Sequence, residues 1–169
     1  MSELAINTGT SQPIIENLQL QGFQFHTRME ISLPDLPDDI TALGDEDLME
    51  YFNKYTAYSN FLETQQACAV IDEKNAESAL DLEESKAYLA LHEQNKKETV
   101  TLIKAKLATN PDIIYLRESL AAKYAYRKLI EVMVNNMQRS TFLVSREVTR
   151  RKGGDNGRSE EHTSELQSH

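Results

Sequence analysis

The sequence predicts an all-α fold: two long helices in a helical hairpin, joined by a short connecting helix, elongated, with a flexible or short-strand arm at the N-terminus. Three observations carry this. Residues 111–152 contain no Gly or Pro after Pro111 and repeat apolar residues at steps of three and four. Residues 48–91 are likewise free of Gly and Pro and follow a seven-residue pattern. Hydrophobic residues make up only 40% of the 169, and Trp is absent, which suits extended helices better than a thick globular core. Three regions follow: an arm and linker at 1–44, a helical domain at 45–152, and a tail at 153–169.

The arm comes first. Residues 1–16 contain Gly9, Pro13 and several Ser and Thr, and no element is expected there. Residues 17–33 alternate, with Leu18 and Leu20 set against Gln19 and Gln21, and Phe23 and Phe25 flanking Gln24. That is strand periodicity. An isolated hairpin is marginal in water, so the arm is expected to pack on a helix or a neighbouring subunit. Residues 34–44, PDLPDDITALG, read as a Pro- and Asp-rich linker.

The first long helix is expected over 45–91. Gly44 is an acceptable N-cap, and Asp45, Glu46 and Asp47 suit the positive end of the helix dipole. Its seam runs Leu48, Phe52, Tyr55, Ser59, Leu62, Gln66, Ala69, Glu73, Ala76, Leu80, Glu83, Ala87, Ala90, bulky in the first half and small in the second. The polar stretch 92–98, HEQNKKE, bends the chain. Val100, Leu102, Ile103 and Leu107 then make the short connecting helix, with Lys96, Lys97, Lys104 and Lys106 beside them.

The second long helix begins at Asn110-Pro111-Asp112: an N-cap, a proline at the first helical position, and an acid in the first turn. It is expected to end in the basic cluster Arg146, Arg150, Arg151 and Lys152, a length of about 60 Å at 1.5 Å per residue. One stripe follows Ile113, Leu116, Leu120, Tyr124, Arg127, Ile130, Val134, Met137, Thr141, Val144 and Val148. A second, Ala122, Tyr126, Leu129 and Met133, lies on a neighbouring face. A helix with two apolar faces needs more than one neighbour. Homo-oligomerisation is therefore expected, with Leu62, Tyr124, Tyr126 and Met133 as candidate interface positions.

The net charge of −9 hides an asymmetry. Residues 1–95 carry four basic and eighteen acidic side chains (−14), and residues 96–152 carry thirteen basic and five acidic (+8). Two readings stand. A basic face meets an anionic partner, with nucleic acid first in line; or an acidic helix lies antiparallel to a basic one and the two neutralise each other. The candidate phosphate contacts are Lys96, Lys97, Lys104, Lys106, Arg139, Arg146, Arg150, Arg151 and Lys152. Tyr115, Tyr124 and Tyr126 are candidates for stacking on bases.

Enzyme chemistry is not expected. There is no HExxH, no GxSxG and no Gly-rich phosphate loop, and a single cysteine, Cys68, excludes an internal disulfide or a thiolate metal site. No cofactor and no metal are expected. No apolar run reaches the length of a membrane span, and the polar start MSELAINTGTSQ lacks a basic signal region. A cytoplasmic chain is expected. The last twelve residues, RSEEHTSELQSH from Arg158 to His169, resemble a translated sequencing adapter. The natural reading is therefore expected to stop near Gly157, and the tail from Gly153 is expected to be disordered.

The order of elements resembles the UvsY-type recombination mediators of tailed phages. The resemblance rests on the aromatic-rich YFNKYTAYSNFLE (Tyr51–Glu63), the KKETVTLIKAKL segment (Lys96–Leu107), and the helix from Pro111 to Val148 with its Asp-Ile-Ile start and late basic segment. It spans about residues 48–150. It implies a helical, ring-forming oligomer that binds single-stranded DNA and helps load a RecA-like recombinase onto DNA coated by single-strand binding protein. One departure is plain: the family has a basic patch in the middle of its first long helix, where this chain reads NAESALDLEESKAYL, with Lys86 the one basic residue. The alternative is a non-enzymatic phage structural or assembly protein, a coiled-coil scaffold or adaptor without nucleic acid binding.

Overall fold

The computed structural model describes residues 3–5, 7–25, 27–30 and 33–165. It is mostly helical. Two short strands and four α-helices follow in order: β1 (Glu3–Ala5), α1 (Gln12–Leu20), β2 (Arg28–Glu30), α2 (Asp45–Gln94), α3 (Val100–Ala108) and α4 (Pro111–Glu165). Single 3-10 turns occupy Gly9–Ser11 and Ile40–Ala42. The two long helices, of 50 and 55 residues, dominate.

Their starts follow from local chemistry. The Asn110 side chain accepts from the N–H of Asp112 at 2.9 Å, so the expected N-cap opens α4 with Pro111 behind it. Thr99 caps α3 in the same way, its hydroxyl accepting from Leu102 at 3.4 Å.

The N-terminal arm differs from expectation. Residues 17–20 end α1 and are not strand. Pro13 sits in the first turn of that helix, and side-chain bonds Gln12–Glu16 and Gln21–Asn17 span its successive turns. Two alternating Leu residues are too short a pattern to outweigh these. Among the described residues of that stretch strand stands only at Arg28–Glu30, paired antiparallel with Glu3–Ala5, and β1, a 3-10 turn and the start of α1 lie where no element was expected. Residues 26, 31 and 32 of the expected strand lie outside the described residues.

At the other end, α4 does not stop at Lys152 but runs on to Glu165. Gly153, Gly154 and Gly157 weaken a helix by about 1 kcal/mol each without barring it, and no proline follows Pro111. Residues 166–169 of the expected tail lie outside the described residues.

The chain divides into two compact units. The first comprises Met1–Ala5, His26–Glu63 and Met133–His169. Leu48, Tyr55, Phe61, Leu62, Val134 and Val144 are buried in it. The Tyr55 hydroxyl donates to the carbonyl of Pro34 at 2.8 Å, which ties the linker to α2. The Gln138 amide donates to Glu63 at 3.0 Å.

The second unit comprises Ile6–Phe25 and Thr64–Val132. Leu80, Ile103, Leu107 and Ile113 form its core, with Ala87, Tyr88, Leu91, Leu116 and Leu120 packed against them. α2 and α4 run antiparallel here. Arg117 of α4 meets Glu84 of α2, Lys123 meets Asp72, and Arg127 meets Glu73. The arm lies on the same unit. Gln65 accepts from the N–H of Asn7 at 2.6 Å and donates to its carbonyl at 3.1 Å. Asp72 accepts from the N–H of Thr10 at 2.9 Å and from its hydroxyl at 2.6 Å.

Candidate nucleic-acid interface

The nine candidate phosphate contacts fall into two groups, one in each unit. Lys96, Lys97, Lys104 and Lys106 belong to the second unit; Arg139, Arg146, Arg150, Arg151 and Lys152 belong to the first. Their surroundings separate them.

In the second unit, Lys96 and Lys97 stand exposed on the turn between α2 and α3, and Lys104 is exposed on α3. Among the described residues none of the three has a carboxylate at ion-pair distance. Lys106 is different: its ammonium lies 2.5 Å from Glu98 Oε1. That bond, first among the causes, holds the Glu98 carboxyl below its ordinary range, with Asn95 donating to the same oxygen at 3.2 Å. Lys106 fixes the α2–α3 turn and is largely spent.

In the first unit, Arg139, Arg146 and Lys152 on α4 are exposed, and among the described residues have no acidic partner. Arg150 and Arg151 are held by Glu147. Arg150 donates to both Glu147 oxygens at 2.7 Å, and Arg151 donates to Oε1 at 2.8 Å. Hydrogen bonds from Arg150 and then Arg151 pull the Glu147 carboxyl down to about 2. Arg151 also donates to the carbonyls of Leu43 at 2.9 Å and Thr41 at 3.2 Å, and to Asp45 at 2.6 Å. It is a clamp on the first turn of α2, and its donors are engaged within the chain. Arg150 retains an exposed guanidinium but shares its charge with Glu147.

The aromatic and interface candidates also part company. Leu62 is 3% exposed and serves the packing of its own unit. Tyr124, Tyr126 and Met133 are exposed, and Tyr115 is 70% exposed. The Arg127 guanidinium lies 5.3 Å from the Tyr124 ring centroid, so one face of that ring is taken by a cation. Leu129, from the second apolar stripe, is 67% exposed.

The contacts of the arm were not foreseen. Asn7 and Thr10 lie in a stretch without periodicity, and Asp72 is one of many acids on a long helix; the Thr10 hydroxyl also accepts from the Asn75 amide at 2.7 Å. The one available signal was the spacing of Gln65 and Asp72, seven residues apart on one helix face.

Among the described residues no group of three His, Cys, Asp or Glu is placed to hold a metal ion, and no helix is long and apolar enough to cross a membrane. Comparison with protein-family models, curated proteins and solved structures gives no match.

Proposed function

We propose that this chain is a non-enzymatic, homo-oligomeric phage recombination mediator, working in the host cytoplasm. In this reading it is a helical hairpin that binds single-stranded DNA. It helps load a RecA-like recombinase onto DNA coated by single-strand binding protein. The observation that carries the reading is a division among the cations. Neutralisation between helices accounts for Arg117, Lys123, Arg127 and Arg151, each paired with an acid of α2. It leaves Lys96, Lys97, Lys104, Arg139, Arg146 and Lys152 exposed and unpaired among the described residues. Such cations serve phosphate contact, which gives affinity and salt dependence with little sequence preference.

A specific observation favours a second reading, a structural or assembly protein without nucleic acid contact. Ala122, Tyr126 and Leu129 form an exposed stripe on α4 that asks for a protein partner. A recombinase-loading assay separates the two. Single-stranded DNA is coated with single-strand binding protein, and filament assembly by a RecA-like recombinase is followed with and without the chain. A shortened lag supports mediation. An unchanged lag, together with no retention of the chain on the DNA, supports the structural reading.

A further inference from the structure

In the second unit α2, α3 and α4 border an open cleft of about 820 Å³. Its apolar part is Tyr88, Leu89 and Leu107. Tyr88 packs against the Leu80–Ile103–Leu107–Ile113 core, which fixes its ring, and the His92 ring stacks beside it at 6.4 Å with 13° between the planes. Leu89 is 60% exposed, an apolar side chain left facing water beside that ring. The polar part is uneven. Arg117 donates to Glu84 at 2.6 and 3.1 Å, so those two charges answer each other. Lys104 keeps its charge unspent, and Asp81 on the lining is an acceptor without a donor among the described residues.

A held aromatic ring beside an exposed leucine offers a flat apolar surface. One free ammonium offers a seat for a phosphate, and one free carboxylate offers an acceptor for an exocyclic amine. Those three features together match a heteroaromatic base carrying a phosphate. We propose that this cleft is a nucleotide subsite, in which the base lies against Tyr88 and Leu89 and its phosphate meets Lys104. The inference rests on the reading of the chain as a single-strand binder, and it adds where a base is taken. The ligand has two possible sources, one base of a bound strand or a free nucleotide, and the chemistry is shared.

The test uses the full chain and a single-stranded oligonucleotide with one 2-aminopurine. Stacking in the cleft quenches the probe on binding. A strand of abasic residues should bind roughly tenfold or more weakly than its base-bearing counterpart. Tyr88→Leu keeps the core filled but removes the ring, and should abolish the quench. Leu89→Asp, at an exposed position, should do the same without burdening the fold. Lys104→Ala should weaken strand binding and lower the salt dependence by about one phosphate contact. Excess deoxyadenosine monophosphate that reverses the quench identifies a free nucleotide as ligand, whereas failure to compete assigns the site to a strand. Strand binding without quench, equal for the abasic strand and for both variants, overturns the subsite and leaves single-strand binding standing. Absence of strand binding overturns the broader reading. In that case, binding of the mononucleotide that Leu89→Asp abolishes would uphold the cleft alone, and no binding of either would overturn both.

Discussion

Glu73 interrupts the apolar seam of α2, as Glu83 does further on, Arg127 interrupts the stripe of α4, and Glu73 and Arg127 meet each other. Arg127 donates through Nε and Nη2 to the two oxygens of Glu73, and both side chains are about one-fifth exposed. Arg127 also reaches Glu131 at 3.2 Å. A charge within a seam is costly unless paired, so each residue makes the other tolerable there and fixes the register of α2 on α4 within the second unit.

Reversing one member of that pair should therefore do more harm than reversing both. Glu73→Arg or Arg127→Glu alone should lower the melting temperature by several degrees, through like charges held together. The double reversal should recover most of the loss. Thermal melts of the four proteins check this, and equal losses for the singles with no recovery in the double would show that the pair is not coupled.

Gly9 has φ of +47°, and a Cβ there would collide with the Asp72 carboxylate. Gly9→Ala should cost about 1–3 kcal/mol at the arm, from left-handed strain and the clash together. Cys68 reports on this. It is the single cysteine and is buried on α2 one turn before Asp72, and burial pushes its thiol pKa up. A thiol reagent at neutral pH should modify it slowly in the parent and several-fold faster in Gly9→Ala. Equal rates would mean that the arm does not cover the thiol.

Acid should act first on the carboxylates that the fold holds ionised. The Glu147 carboxyl lies at about 2 against an ordinary 4.5, pulled down by Arg150 and Arg151. A depressed carboxyl contributes stability that is complete above its ordinary value and is lost as pH falls through the folded one. The contribution of Glu147 should thus fade from about pH 4.5 to about 2. At Asp72 burial pushes the carboxyl up, but the bonds from Thr10 and Lys123 together outweigh it and leave it lowered, so it acts in the same direction below 3.8. Melting temperature followed from pH 6 to about 2 should show a steeper fall for the parent than for Glu147→Gln. Parallel curves would contradict the assignment.

Much of the helical frame could be read in advance because periodicity and capping are local signals. The stripe from Ile113 to Val148 is the buried or half-buried face of α4, with Tyr124 its one exposed member, and Asn110 caps where its side chain says it should. The seam of α2 is buried at Leu48, Tyr55, Ser59, Leu62, Ala69 and Leu80. The arm was misread because α1 is nine residues long, too short for a period to establish itself. Its anchors at Gln65 and Asp72 lie 58 and 62 residues away in the chain, and nothing in sequence order links them. For the candidate interface, the composition named the cations but not their partners. Whether a guanidinium is free or clamped depends on acids such as Glu147 and Asp45, one of them 106 residues distant from Arg151.

The exposed stripe on α4 yields a further expectation. Leu129 faces water in the second unit with Tyr126 and Ala122 on the same side of the helix. Leu129→Lys should leave helicity and melting of the single chain nearly unchanged, because no burial is lost. It should weaken self-association at least tenfold, by burying a charge in an apolar contact. Light scattering across micromolar concentrations reads the mass. A monomer in both proteins would remove the oligomer from this account.

If the unpaired cations contact phosphate, single-strand binding must depend on salt. A fluorescent oligonucleotide is titrated with the full chain at several salt concentrations between 50 and 200 mM. The logarithm of affinity should fall linearly with the logarithm of salt concentration, with a slope of about −0.7 per phosphate contacted. Lys104→Ala, Arg139→Ala and Arg146→Ala should each reduce that slope, and a charge-neutral change at the exposed Gln19 of α1 should not. No binding at 50 mM salt, or binding with a slope near zero, would contradict it.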